Sequence, residues 1–166
     1  ITENSNLYAH FDRQITLHQE KELLCTAGNR SYTYQKIADI SAQIAHSLTN
    51  LGAVPGDRIS VQIDKSPQAF VCISPASVQG LFITLNLGYK KSELEYFLGN
   101  AEPTLVICDP ANVESISVIA QTTGAKVVLT MDANGNGTLI DDANSQKQNF
   151  ETITRKPDDL AALLYS

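Results

Sequence analysis

The sequence predicts an α/β fold, with a mainly parallel sheet and helices on both of its faces. From residue 58 onward, strand-like apolar runs alternate with helical segments, which is typical of a parallel sheet connected by crossover helices. Runs such as "LVIC" and "VVLT" are almost continuously apolar, as strands covered on both faces are.

Two short elements are expected before the sheet begins. The spacing of Leu7, Tyr8 and Phe11 predicts a short amphipathic helix. Residues 22–34, "ELLCTAGNRSYTY", contain two apolar runs around Ala27-Gly28-Asn29, which predicts a β-hairpin.

A longer helix is predicted from about Tyr34 to Leu51. Thr33 is a suitable N-cap, and Gly52 is a suitable residue to end the helix. One face is apolar over its whole length, with Ile37, Ile40, Ile44, Ala45, Leu48 and Leu51.

The alternating part of the chain is then assigned from apolar runs and capping residues. Strands are predicted at 58–63, 81–86, 104–109, 125–130 and 160–165. Helices are predicted from Ser66-Pro67, from a capping box at 92–95, and over about 112–122. The polar segment 131–156 is expected to form turns or an excursion from the fold.

The stretch "PDDLAALLYS" (157–166) is the most informative for function. Residues 160–165 are predicted to be a buried strand, preceded by Asp158-Asp159 in a turn. Since α/β proteins bind ligands just beyond the carboxyl ends of their parallel strands, this strand is expected to lead toward such a position.

Composition excludes several classes of function. The net charge of -6 disfavours a nucleic-acid surface, which needs a basic face. The three scattered cysteines, Cys25, Cys72 and Cys108, suit reduced core thiols better than a disulfide framework. No signal peptide and no membrane span of roughly 20 apolar residues are visible, so a cytoplasmic location is expected.

Three local motifs suggest ligand sites but have simpler interpretations. "DANGNGTLIDDA" (132–143) resembles a calcium loop, yet its twelfth position is Ala143 where a glutamate is needed, so a Gly/Asn turn is favoured. Gly135 and Gly137 lack the capped helix start that a phosphate cradle requires. His10, His18 and His46 lack metal-ligand spacing, and positions on a surface or helix face are favoured for them.

The order of the motifs resembles the N-terminal region of the adenylate-forming superfamily, which includes the acyl-CoA synthetases. The resemblance lies in "SYTYQKIADISAQIAHSLTNLGAVPGDRISVQIDKSPQAFV" and in "LN…YKKSELEYFLGNAEPTLVICDP", and it covers almost the whole chain. Within the superfamily, "DKS", "AEP", "VICDP" and "PDDLAALLY" look most similar to bacterial malonyl-CoA synthetases.

The resemblance implies an ATP-dependent acid–thiol ligase that uses ATP, Mg²⁺, coenzyme A and a small carboxylic acid such as malonate. It implies that residues 1–166 form an N-terminal piece of the large domain, ending at the start of the ATP phosphate loop. Ser166 is then the first phosphate-loop residue, and the chain alone is expected to be inactive. Pro75 and Thr84 depart from the family pattern, in which the helix is uninterrupted and a proline precedes Leu-Asn.

Two alternatives stay open at this point. The chain could be a non-catalytic α/β binding or interaction domain, for which an exposed terminal strand would be unfavourable. A receiver-like signalling domain is less favoured, because Asp109 ends a strand but the partner acidic pair and lysine are not evident. Formation of a homo-oligomer is left open.

Overall fold

The computed structural model describes residues 4–26, 28–73 and 81–165. The helices are α1 Leu7–His18, α2 Tyr34–Asn50, α3 Pro67–Ile73, α4 Lys91–Ala101, α5 Val113–Thr123 and α6 Thr138–Ala143. The strands are β1 Glu22–Cys25, β2 Ser31–Thr33, β3 Arg58–Gln62, β4 Leu81–Thr84, β5 Leu105–Cys108, β6 Val127–Thr130 and β7 Ala162–Leu164. These elements confirm the α/β prediction.

The main sheet has five parallel strands in the order β6-β5-β3-β4-β7, and β1 and β2 form a separate antiparallel pair. From β3 the chain moves to β4 on one side, and it then crosses back beyond β3 to β5 and β6. Because parallel crossovers are right-handed, connections running in opposite directions place their helices on opposite faces of the sheet.

Each face of the sheet has its own apolar core. On one face, Ile44 and Leu48 of α2 and Leu139 of α6 pack in one cluster with Ile59 and Ile107 of the central strands. On the other face, α4 and α5 cover Ile83, Val106 and Cys108 with their leucine and isoleucine side chains. Burial on both faces explains why the central strands are apolar throughout.

Local capping explains where the helices begin. The Thr33 hydroxyl accepts a hydrogen bond from the Lys36 amide at 3.1 Å, as predicted for the start of α2. The Ser66 hydroxyl accepts one from the Ala69 amide at 2.9 Å at the start of α3. The continuation of that helix to Pro75 lies outside the described residues.

Some expectations were wrong in detail. Helix α4 begins at Lys91, before the predicted capping box, because the Glu93 carboxylate accepts the Lys90 amide proton at 2.7 Å. Segment 131–156 contains the six-residue helix α6, which has no side-chain cap. The Asp142 carboxylate of this helix accepts a hydrogen bond from the Ser47 hydroxyl on α2.

Two burial predictions were also wrong. Among the described residues, β7 pairs with β4 alone and lies at the edge of the sheet, and its Leu164 is 75% exposed. Leu160, which precedes the strand, is 71% exposed. Cys25 is exposed on the small β1–β2 sheet, whereas Cys108 is buried as expected.

Candidate binding groove at the carboxyl ends of β3, β4 and β7

Three neighbouring strands, β3, β4 and β7, end at a common groove of about 550 Å³. The groove is lined by Ile63, Asp64, Lys65, Thr84, Leu85, Asn86, Leu87, Tyr89 and Tyr165. Because parallel strands carry their following loops to the same edge of the sheet, residues far apart in sequence meet here. The groove lies at the carboxyl edge of the sheet, where α/β proteins generally bind ligands.

The loop after β4 is held in place by Asn86. The Asn86 side-chain oxygen accepts the Gly88 amide proton at 2.8 Å, and its backbone oxygen accepts the Tyr89 amide proton at 3.2 Å. The Leu85 amide extends the sheet ladder by donating to the Val61 carbonyl at 2.8 Å. This wall of the groove is therefore fixed by local backbone hydrogen bonds.

Aromatic contacts fix the point where the chain leaves β7. The Phe97 ring of α4 lies with its centroid 4.8 Å from the Tyr89 ring and 4.8 Å from the Tyr165 ring. Such distances are typical of favourable aromatic pairs. Helix α4 thus joins the loop after β4 to the end of β7.

The groove contains one acidic and one basic side chain directly after β3. The Asp64 carboxylate accepts the Lys65 backbone amide proton at 2.7 Å, which forms a tight local turn. The Lys65 ammonium supplies positive charge for an anionic ligand, and the tyrosine hydroxyls of Tyr89 and Tyr165 supply hydrogen bonds. Among the described lining residues, no nucleophile is paired with a general base.

Ser166, the predicted phosphate-loop residue, lies outside the described residues. The structure places its neighbour Tyr165 at the groove. Sequence reasoning missed Lys65, Asn86 and Tyr165 as site candidates. Their positions at or just after the ends of predicted strands were the available signal, but only the strand order shows that these three ends are adjacent.

The described residues do not form a magnesium site by themselves. They contain no group of three or more His, Cys, Asp or Glu side chains placed to hold a metal ion. The groove contributes the single carboxylate of Asp64, and Mg²⁺ held this way needs further oxygen ligands such as substrate phosphates.

The other predicted motifs have structural roles. The Asp132 carboxylate accepts hydrogen bonds from the Asn134 and Asn136 amides at 2.8 Å each, which confirms the turn interpretation. Hydrogen bonds from Asn136 lower the pKa of the exposed Asp132 carboxyl from its ordinary value. His10 and His18 lie on α1 and His46 on α2, as the helix-face interpretation predicted.

A parallel sheet with a polar groove at its carboxyl edge defines the class of α/β ligand-binding domains. Within that class the chain belongs to the AMP-binding enzyme family, whose model matches residues 11–166. No helix in the described ranges is long and apolar enough to cross a membrane.

Individual relatives agree with this family. Acetyl-coenzyme A synthetase of Mycolicibacterium smegmatis is 32% identical over 95 residues, which cover 57% of this chain and 10% of that protein. Apo MatB of Rhodopseudomonas palustris is 34% identical with a TM-score of 0.93, covering 99% of this chain and 32% of that one. The ATP-bound form of MatB is 35% identical with the same TM-score, over 98% of this chain and 32% of that one.

The chain therefore spans only part of these proteins. It covers about a third of the MatB chains and a tenth of the acetyl-coenzyme A synthetase.

Proposed function

We propose that this chain is the N-terminal part of an ATP-dependent acid–thiol ligase that activates a small carboxylic acid, malonate, and transfers it to coenzyme A. The observation that carries the proposal is the match to ATP-bound MatB over 98% of the chain, at 35% identity. The resemblance of "DKS", "AEP" and "VICDP" to malonyl-CoA synthetases supports malonate as the acid.

The proposed reaction has two balanced steps. A carboxylate oxygen of the acid attacks the α-phosphorus of ATP, the bond to pyrophosphate breaks, and an acyl-adenylate forms. The thiol sulfur of coenzyme A then attacks the acyl carbonyl, AMP leaves, and the thiol proton passes to solvent. Mg²⁺ and cationic groups offset the phosphate charge in such reactions.

In this proposal, the residues of this chain bind and direct the phosphate loop and supply charge beside it. We assign to Ser166 a hydrogen bond from its hydroxyl to a phosphate oxygen, at the start of the phosphate loop. Tyr165, held against Phe97, sets the direction in which that loop leaves β7. Lys65 lies at the same groove and contributes positive charge beside the loop.

The activity is tested by pyrophosphate release from a longer protein that carries this chain, with ATP, coenzyme A and malonate. We expect turnover with malonate and little with acetate. We expect Ser166→Ala to lower kcat/KM by about ten- to a hundredfold, the effect of removing a hydrogen bond to a charged group. Ser92→Ala, an exposed serine at the start of α4, is the matched control and should change nothing.

Two outcomes would separate the parts of the proposal. Turnover of another acid in place of malonate would refute malonate as the substrate and leave the ligase assignment unchanged. Absence of adenylate formation with every acid would favour a non-catalytic binding domain.

The 166 residues by themselves are proposed to be an inactive scaffold. The described lining of the groove has one cation and no nucleophile–base pair, which is too little to stabilise both transition states. Pyrophosphate release by the isolated chain would refute this part. A cytoplasmic location and the oligomeric state stay predictions.

A further inference from the structure

The buried Gln62 side chain connects the core of the sheet to the wall of the groove. Gln62 ends β3 and is 1% exposed, and its side-chain nitrogen donates to the Asn86 carbonyl at 2.9 Å. Because a backbone carbonyl only accepts, this bond fixes which way the Gln62 amide is turned. Gln62 does not line the groove, so its effect on the groove acts through the loop after β4.

The Asn86 carbonyl is the point at which residues 86–89 are tied to the sheet. It accepts two hydrogen bonds, from the Gln62 side chain and from the Tyr89 amide at 3.2 Å, which occupy its two lone pairs. The preceding Leu85 amide donates to the Val61 carbonyl on β3. Within the described ranges, the Gln62 amide is then the only hydrogen-bond partner that residues 86–89 have in another element.

Tyr89 links the position of this loop to the end of β7. Its ring lies 4.8 Å from the Phe97 ring, which in turn lies 4.8 Å from the Tyr165 ring. Asn86, Tyr89 and Tyr165 all line the groove. A shift of the Asn86 carbonyl therefore changes the groove both at its wall and at the point where the chain leaves β7.

The Gln62 amide contributes little to the packing of the core. Its register partner is Cys108, on the face that α4 and α5 cover with apolar side chains. Its side-chain oxygen has no hydrogen-bond partner in the part of the chain that the structure describes, and a buried acceptor without a donor is costly. An apolar side chain of the same length would avoid that cost, so what the amide supplies is the bond to Asn86.

We propose that Gln62 is a positioning residue of the groove: it holds the Asn86 carbonyl and thereby sets the wall that Asn86 and Tyr89 form. The effect on catalysis rests on the proposed ligase function, in which Tyr165 directs the phosphate loop, so ATP binding is the step affected. The effect on the loop is independent of that function, because it follows from the hydrogen bond alone.

Gln62→Met tests the effect on the loop, because it removes the donor and keeps the length of the side chain. Hydrogen–deuterium exchange, followed by mass spectrometry of the longer protein, should show the amides of residues 86–89 exchanging about two- to tenfold faster, the effect of one lost hydrogen bond. Peptides from α2 should exchange as in the parent protein. The urea midpoint should not fall, because the substitution also removes a buried oxygen without a donor.

Steady-state kinetics of the same variant test the effect on catalysis. Gln62→Met should raise the KM for ATP by about two- to tenfold and leave the KM for coenzyme A unchanged, since the loop acts at the groove assigned to the phosphates. A merely structural role would instead lower the fraction of folded enzyme, which reduces kcat and leaves every KM unchanged.

Ser60→Ala is the matched control on β3. Ser60 is also buried and has a hydroxyl without a partner in the described ranges, but it makes no hydrogen bond to the loop after β4. Its variant should match the parent protein in exchange at residues 86–89 and in the KM for ATP. Gln62→Asn, which retracts the amide by one carbon, takes the same tests if Gln62→Met does not fold.

Three results would overturn the role of Gln62. They are unchanged exchange at residues 86–89, faster exchange over the whole chain with a lower urea midpoint, and faster exchange in the loop with an unchanged KM for ATP. If no acid is activated, the ligase function is refuted, and exchange at residues 86–89 by itself supports or overturns the role of Gln62.

Discussion

The Tyr165 ring at the end of β7 lies 4.8 Å, centroid to centroid, from the Phe97 ring on α4, at an angle of 44°. Tyr89 contacts the same Phe97 ring from the loop after β4. One half-buried side chain thus joins a helix, a loop and the last strand. Phe97 therefore links the loop after β4 to the end of β7.

Phe97→Ala should therefore destabilise the fold by about 3 kcal/mol, since it removes a large ring and leaves a cavity between three elements. The free energy of unfolding from urea titration measures the effect. Tyr96→Ala is the control on the same helix, because Tyr96 is 66% exposed and should cost below about 1 kcal/mol. Similar losses for the two variants would contradict this role of Phe97.

Gly137→Ala should be among the most destabilising single substitutions in the chain. Gly137 has φ of 137°, and a Cβ atom there would lie 2.3 Å from the Thr130 carbonyl oxygen. We expect the free energy of unfolding, measured by urea titration, to fall by about 3–4 kcal/mol, because backbone strain and a clash with the backbone combine.

Gly52→Ala is the comparison for that substitution. Gly52 also has a positive φ, of 96°, but an added Cβ meets nothing within 4 Å. It should cost only about 1–2 kcal/mol, from the backbone conformation alone. A Gly137 variant as stable as the Gly52 variant would show that the 131–137 turn can move away from β6.

Cys108 should react with thiol reagents far more slowly than Cys25. Burial, assisted by the neighbouring Asp109 carboxylate, raises the pKa of the Cys108 thiol to about 11, whereas Cys25 is exposed. In a Cys72→Ser background, labelling with a disulfide reagent at pH 8 should show one fast thiol. Cys25→Ser should abolish the fast phase, and rapid reaction without Cys25 would contradict the burial of Cys108.

Tyr8 should make the fold sensitive to alkaline pH. Burial raises the pKa of Tyr8 to about 12, with the Asp12 and Asp39 carboxylates adding to the effect, against an ordinary value near 10. A raised pKa in the folded state gives stability that is fully present below about pH 10 and is lost as the pH rises toward 12. The loss should amount to about 2–3 kcal/mol.

The free energy of unfolding, measured between pH 9 and pH 12, tests whether stability falls as the pH rises. Tyr8→Phe should flatten the decline, because the ring stays buried and no hydroxyl titrates. Tyr96→Phe, at an exposed position, should leave the decline as in the parent chain. A steeper decline in Tyr8→Phe would mean that other groups govern alkaline unfolding.

The sequence was sufficient to predict those helices whose capping signals are local. Thr33 caps α2 and Ser66 caps α3 as predicted, because a hydroxyl before an apolar helical run needs no tertiary information. Helix α6 was missed because it is short, follows two glycines and has no side-chain cap. Its stability comes instead from packing Leu139 into the core.

The candidate sites depend on strand order, which local patterns do not encode. "LAALLY" is as apolar as the central strands, yet Leu164 is exposed because β7 is at the edge. Nor could the pattern show that Gln62 would have an unsatisfied oxygen, since its neighbours come from the loop after β4 and from α5.

The position of β7 also governs the order in which the fold can be completed during synthesis. Phe82 and Ile83 of β4 pair with Ala162 and Leu163, and Asn4 bonds to Arg155, 151 positions later. A nascent chain must therefore extend past residue 155 before either contact can form, and contacts so distant in sequence form slowly. Until then the edge of β4 and the amino-terminal segment are both open to chaperones and to neighbouring chains.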